Sequence, residues 1–235
     1  MDGREWERLS SFATISRELL AEPEEDLTLE RIVKLAVEAV PGCDFCGISL
    51  RRGQGKVETP ASTASVVDES DALQYEFNEG PCLDAIWEGD TYVVQDLRTD
   101  PRWPRWAPKA AALGFGSILS VRVVATADTR GGLNLYAARP HAFDADDVDM
   151  AHLFASYAAS ALEASQLVTG LRRALETRLE IGVAQGMLLQ RYGLSLPNSF
   201  ALLRRHSQLR NIKLREVAHQ IVAAGPIPDC PDGDD

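Results

Sequence analysis

The sequence predicts an α+β fold in two parts: a strand-rich body with flanking helices, then an all-helical end of three helices. Three observations carry this. Short apolar runs separated by turn residues fill the middle of the chain, from Phe45 to Ala138. Apolar residues at spacings of three and four lie on both sides of them. The 235 residues, 45% hydrophobic and 25% charged, suffice for two globular domains and exclude a disordered or collagen-like chain.

Taken in order, Trp6, Leu9, Phe12, Ile15 and Leu19 repeat as one face of a helix, which Pro23 and the acidic residues Glu24–Asp26 interrupt. The pattern resumes with Leu29, Ile32, Val33, Ala36, Val37 and Val40 and stops at Pro41-Gly42. Phe45–Leu50 reads as a strand and Gly53-Gln54-Gly55 as a turn. The polar run from Glu58 to Ser70 reads as hairpin and loop. Ala72–Tyr75 and Leu83–Glu88 read as short helices, Tyr92–Leu97 as a strand and Pro101–Pro108 as a loop. Ser117–Ala125 and Gly132–Ala138 read as two strands joined by a turn at Asp128–Gly131.

A long helix then begins behind Asp144, a suitable N-cap, with Asp146, Asp147 and Asp149 near its positive end. Met150, Leu153, Phe154, Tyr157, Ala161 and Leu162 form its apolar face. Val168, Leu171, Leu175, Leu179, Val183 and Met187 continue at spacings of three or four, with no stop before Gly193. A helix that leaves one domain and enters another is a natural linker and dimer seam. Ser195 can cap a second helix with Pro197 in its first turn, and Asn211 a third with Leu214, Val217, Ala218 and Ile221 as its stripe. Ile181, Ala184, Leu188, Phe200, Leu203, Leu214, Val217 and Val222 are the expected core of this end, and Gly182 and Gly186 are expected to admit a close helix.

The formal charge of −11 argues against a nucleic-acid binder, but it is an average of unlike parts. Residues 1–164 carry −13. Residues 165–224 hold nine basic and three acidic residues, a surplus of +6, and the last eleven residues carry −4. The helical end is a cationic island in an acidic chain, the electrostatic footprint of nucleic-acid binding.

That end also carries a specific pattern. Arg178–Ser195 (RLEIGVAQGMLLQRYGLS) resembles the first helix and turn of ANTAR domains, Ser199–Ser207 (SFALLRRHS) the second helix, and Asn211–Ala218 (NIKLREVA) the third. The resemblance implies an all-α three-helix ANTAR module that binds paired stem-loops in a nascent leader transcript, stabilising them against an overlapping terminator. Two positions depart from the pattern: Gln185 stands where Lys is usual, and Ser199 where Ala is usual. Arg178, Gln185, Arg191, Arg204, Arg205, Asn211, Lys213 and Arg215 are the expected RNA-binding residues, since Arg stacks on unpaired bases and forks onto phosphate.

The preceding region resembles a GAF domain. The matching pieces are Glu79–Ala85 (EGPCLDA), Asp100–Pro104 (DPRWP), Gly114–Val121 (GFGSILSV), Gly131–Ala137 (GGLNLYA) and Ala142–Asp147 (AFDADD). The resemblance implies a GAF-like antiparallel sheet with flanking helices, on one face of the sheet, and an unnamed small-molecule ligand or redox signal. Tyr75, Phe77, Cys82, Trp103 and Phe115 are the candidates for a sensor pocket. The resulting domain scheme is an N-terminal helical extension (1–11), a GAF-like sensor (12–165), an ANTAR domain (166–224) and an acidic disordered tail (225–235).

Other chemistry finds little support. No HExxH, GxSxG, P-loop or dinucleotide fingerprint occurs, and the four histidines have no metal spacing, so neither catalysis nor a cofactor or metal is expected. Cys43-x-x-Cys46 falls at a strand entry, where side chains three apart point to opposite faces, and reads as two small buried residues. Cys82 sits at a helix start, where a thiol can be acidified, or simply lines the interior. Trp103 and Trp106, interleaved with Arg102 and Arg105, read as a loop covering the sheet. With no apolar signal core and no spanning segment, the sequence reads as a cytoplasmic bacterial antitermination regulator, homodimeric through its linking helix, with no membrane partner. The alternative is a signalling module whose cationic helices bind a protein.

Overall fold

The computed structural model describes residues 24–224, Asp90 excepted. The expected helix around Trp6–Leu19, the 1–11 extension and the 225–235 tail lie outside the described residues. Helix α1 (Glu25–Ala39) is followed by strands β1 (Phe45–Arg52) and β2 (Val57–Ser62), then helices α2 (Ser65–Phe77) and α3 (Pro81–Glu88). Strand β3 (Tyr92–Val94), helix α4 (Ala107–Ala112), and strands β4 (Ser117–Val124) and β5 (Thr129–Ala137) complete the body. Helix α5 (Ala145–Tyr192) leads to α6 (Leu196–Arg210) and α7 (Leu214–Ala224). Contacts divide the chain into two compact units after Thr169, within α5.

The five strands form one antiparallel sheet in the order β2-β1-β5-β4-β3. Pairing of Ile48 with Leu133 and of Leu119 with Leu135 puts apolar side chains in rows on one face. Helices α1 and α5 cover that face: Leu29, Ile32, Val33 and Ala36 from α1 and Phe154, Ala158 and Leu162 from α5 are fully or almost fully buried there. The opposite face carries Ser49, Ser120, Asn134 and Tyr136, and is covered by α2, α3, α4 and the tryptophan loop. Helices therefore lie on both faces, not on one.

Helix α5 starts as a capping box. The Asp147 amide donates to the Asp144 carboxylate (3.0 Å) and the Asp144 amide to the Asp147 carboxylate (3.2 Å), which also accepts from Gly42 N–H. Its expected apolar face splits in two. Phe154, Ala161 and Leu162 meet the sheet, whereas Leu153 and Tyr157 are exposed.

Other expectations need correction. Residues 58–70 are not a loop: they form β2 and the start of α2, a helix of 13 residues rather than four. The side of α2 that faces inward carries Val67, Ser70, Asp71 and Gln74, so a mostly polar buried side hides the apolar period. The stretch from Pro101 to Pro108 runs into α4, and strand β3 ends at Val94 rather than Leu97. Asn211 does not cap the third helix. It ends α6 in the left-handed conformation (φ 52°), a C-terminal role that asparagine tolerates. Gly193 ends α5 in the same way (φ 63°).

In the second unit Ala184, Leu188, Leu203, Val217, Ala218 and Ile221 form the core of a three-helix module, with Ile181 and Leu214 partly buried beside them. Phe200 and Val222, expected in that core, are exposed. A Cβ on Gly182 or Gly186 would meet no described atom within 4 Å, so these glycines admit no close helix within the chain. Ser195 caps α6 as expected, accepting from Asn198 N–H at 3.4 Å. No helix among the described residues is long and apolar enough to cross a membrane.

Candidate nucleic-acid interface and sensor core

The cations of the helical module come from three elements. Arg178 and Arg191 lie on α5, Arg204 and Arg205 on α6, and Lys213 and Arg215 at the start of α7; all are exposed. None of the six forms an ion pair among the described residues. On α6 the buried side carries Ser199 and Leu203, which turns Arg204 and Arg205 outward. One acidic residue of the module, Glu180, is engaged: its carboxylate lies 2.7 Å from Nδ1 of His219, tying α5 to α7. The Glu180 hydrogen bond and charge raise the His219 pKa above its ordinary value. His206 shifts the other way, through partial burial and then the charge of Arg210.

Two expected RNA contacts have other surroundings. Gln185 is half-buried and spends its amide inside the module, donating to the Leu196 carbonyl (3.2 Å) and the Ser199 hydroxyl (3.4 Å). Asn211 is exposed, but its backbone closes α6. Arg191 lies over the ring of Tyr192, 5.9 Å from its centroid.

The first unit holds a buried polar cluster that sequence reasoning missed. Asp71 is fully buried on α2, and its two carboxylate oxygens accept from five side chains. Tyr136 donates at 2.6 Å, Thr59 at 2.9 Å, Gln74 at 3.1 Å, Asn134 at 3.2 Å and Ser49 at 3.3 Å. Burial raises the Asp71 pKa, and these hydrogen bonds pull against the shift without cancelling it. The Tyr75 hydroxyl donates to Ser49 (2.6 Å), and Ser120 donates to Asn134 (3.0 Å). Gly80 (φ 142°) precedes α3, where any Cβ would run into the Gln74 side chain. Gln74 Oε1 there accepts from Cys82 N–H at 3.0 Å. A signal did exist: Ser49 and Asn134 are polar residues alternating with apolar ones in β1 and β5, so polar groups point to the second face.

Of the five expected pocket residues, Tyr75 and Cys82 join this polar cluster. Trp103 and Phe115 belong to an adjoining aromatic core that shares Tyr136, and Phe77 packs against it beneath the cations of Arg105 and Lys109. Trp103 and Trp106 are buried, and their indoles donate to Asp84 (2.8 Å) and to the Ser70 carbonyl (3.1 Å), as a covering loop requires. Cys82 does sit in the first turn of α3, but burial dominates and, with the Asp71 charge, pushes its thiol up to about 12. It lines the interior and is not an activated thiol. Cys43 and Cys46 are likewise buried free thiols raised by desolvation. A shallow groove of about 370 Å³ opens elsewhere, between β4 and α5, and is lined by Arg122, Ser156, Ser160 and Glu163 among others, none of them an expected pocket residue. No cluster of metal-ligating side chains occurs among the described residues.

A sheet with a polar inner face, joined by one helix to a cationic three-helix module, defines a chain with a sensor-type body and a separate helical output. Residues 22–163 match the family model for the GAF domain and residues 169–222 that for the ANTAR domain; the chain belongs to the GAF family and carries an ANTAR domain behind it. Solved structures share the fold of the body. The GAF domain of a phosphoenolpyruvate-protein phosphotransferase from Coxiella burnetii is 17% identical, with a TM-score of 0.54 over 69% of this chain and 96% of that one. Free methionine-R-sulfoxide reductase from Neisseria meningitidis, in complex with its substrate, is 16% identical, with a TM-score of 0.53 over 71% and 95%. A phycoerythrobilin-bound GAF domain from a cyanobacterial phytochrome is 13% identical, with a TM-score of 0.51 over 68% and 96%. No curated protein matches the chain.

Proposed function

We propose that this chain is a signal-responsive antitermination regulator of the bacterial cytoplasm. Its ANTAR domain binds stem-loop RNA in nascent leader transcripts, and its GAF domain is the sensor and dimerisation module. The observation that carries the reading is the set of exposed cations without ion pairs, Arg178, Arg191, Arg204, Arg205, Lys213 and Arg215, spread over all three helices of the module. Such a surface attracts phosphate, and its arginines fork onto it. The buried polar face supports the sensor role, because a stable body has no need to bury a carboxylate in its core. Similar GAF folds hold a substrate or a bilin, which supports a small-molecule input.

The homodimer forms along α5. Leu153, Tyr157, Ser160, Ala164, Leu167 and Leu171 are exposed at alternating spacings of four and three, a coiled-coil seam, and Leu175 and Leu179 extend it. From Leu167 to Leu179 its leucines are 57 to 70% exposed, an apolar row that a second copy would cover. Dimerisation gives two RNA contacts on one molecule, and hence avidity.

The test is binding of the full chain to a two-stem-loop leader RNA over a range of salt. Tight low-salt binding with a steep salt slope is expected, and Arg204→Gln with Arg205→Gln reduces both. No binding at low salt overturns the reading. Binding that excess acidic polypeptide abolishes would favour a protein partner for the same cations.

A further inference from the structure

Phe200 lies outside the buried core of the ANTAR module, although its sequence position reads as core. It is 40% exposed, while Leu203 on the same helix is sealed. The six-residue core contains Ala184, Ala218 and Val217, so a module this lightly filled would gain from burying the ring. Instead Leu196, Phe200 and Arg204 follow one another at steps of four along α6, forming one exposed row on the helix. Tyr192, exposed four residues before Leu196, continues the aromatic character, with the Arg191 guanidinium beside it.

A flat apolar ring next to a cation suits a nucleotide: the base offers a π face to the ring and its phosphate an anion to the arginine. A paired stem keeps its base faces stacked inside, whereas an unpaired loop base exposes one. A protein surface could also cover the ring, but the module's +6 surplus favours a polyanion. We propose that Phe200 is the stacking platform for one unpaired base of the bound RNA, with Arg204 holding the neighbouring phosphate. This rests on the RNA-binding reading and adds to it the part of the RNA that is read: a loop base, not the stem.

The experiment uses the full chain and a two-stem-loop leader RNA, intact and with single abasic sites placed in turn at each loop position. Phe200→Leu is expected to lose affinity on the order of tenfold with its salt slope unchanged, and Phe200→Trp to retain it. One abasic RNA should bind the wild type correspondingly less and be indifferent to Phe200→Leu. Urea unfolding of Phe200→Leu should match that of the wild type. The proposal is overturned if Phe200→Leu binds as the wild type does, or if it loses the same factor on every abasic RNA. It is equally overturned if the variant changes only the oligomeric state, which would assign the ring to a protein contact. Failure of the wild type to bind any of these RNAs overturns the reading beneath it.

Discussion

Gln185 and Ser199, the two positions where the chain departs from the ANTAR pattern, are hydrogen-bonded to each other. The Gln185 amide donates to the Ser199 hydroxyl, and both side chains also donate to the Leu196 carbonyl, at 3.2 and 2.8 Å. The pair pins the start of α6 to α5. The loss of a cation at position 185 is thus accompanied by a new clasp within the module.

It follows that Gln185→Ala should act on stability more than on electrostatics. Removing this amide leaves the Leu196 carbonyl and Ser199 hydroxyl short of a partner and is expected to cost about 1 kcal/mol. Urea unfolding of the full chain measures this. Because no charge is removed, the salt slope of RNA binding should not change. A variant as stable as the wild type but weaker in RNA binding would show that the amide faces the ligand instead.

Asp71 is expected to be the most sensitive position of the GAF domain. Asp71→Ala leaves five donor side chains, from Ser49, Thr59, Gln74, Asn134 and Tyr136, facing an empty space in the core. The expected loss is on the order of 3 kcal/mol or more. Asp71→Asn keeps one acceptor oxygen and should lose less. Tryptophan fluorescence reads the transition, since the Trp106 indole is bonded to the Ser70 carbonyl next to Asp71. An Asp71→Ala protein that unfolds with the wild type would remove the cluster from any structural role.

What the sequence made legible, and what it hid, follows from which face a residue serves. The apolar face of the sheet was readable because Leu29, Ile32, Val33, Leu133 and Leu135 keep strict helical or strand periods. The cap at Asp144, the stop at Gly193 and the cap at Ser195 were readable because each acts within a few residues of itself. The second face was not, because its covering helix α2 buries Ser70, Asp71 and Gln74, and polar residues carry no hydrophobic period. Bonds such as Asn134 to Asp71 join positions 63 residues apart, a distance over which local pattern is silent. The cationic residues were countable in advance, but Gln185 and Phe200 exchanged their expected roles. One is held inside the module by α6, and the other is left at its surface.

Double substitution of the exposed stripe, Leu171→Glu with Leu175→Glu, should dissociate the dimer without unfolding either domain. Both leucines are more than half exposed, so the single chain loses little packing, whereas a seam would receive four carboxylates. Sedimentation is expected to show a monomer, and RNA affinity should fall as avidity is lost. An unchanged dimer would place the interface elsewhere.

The His219–Glu180 pair gives the ANTAR module a stability that depends on pH, with a definite sign. The folded state raises the His219 pKa, chiefly through its hydrogen bond to Glu180, then through that residue's charge and, more weakly, that of Glu216. Histidine therefore binds its proton more tightly folded than unfolded. The contribution is fully present below the unfolded value of about 6.5 and is lost as pH rises through the folded value. Glu180→Gln removes the charge that holds the proton, so the difference in urea midpoint between wild type and variant should be largest near pH 5.5 and shrink by pH 8.5. His219→Gln should abolish the same dependence. High salt should flatten it, because both partners reach solvent. A difference that grows towards high pH would mean that the pair is held by a neutral imidazole, and that α5 and α7 are tied by a hydrogen bond alone.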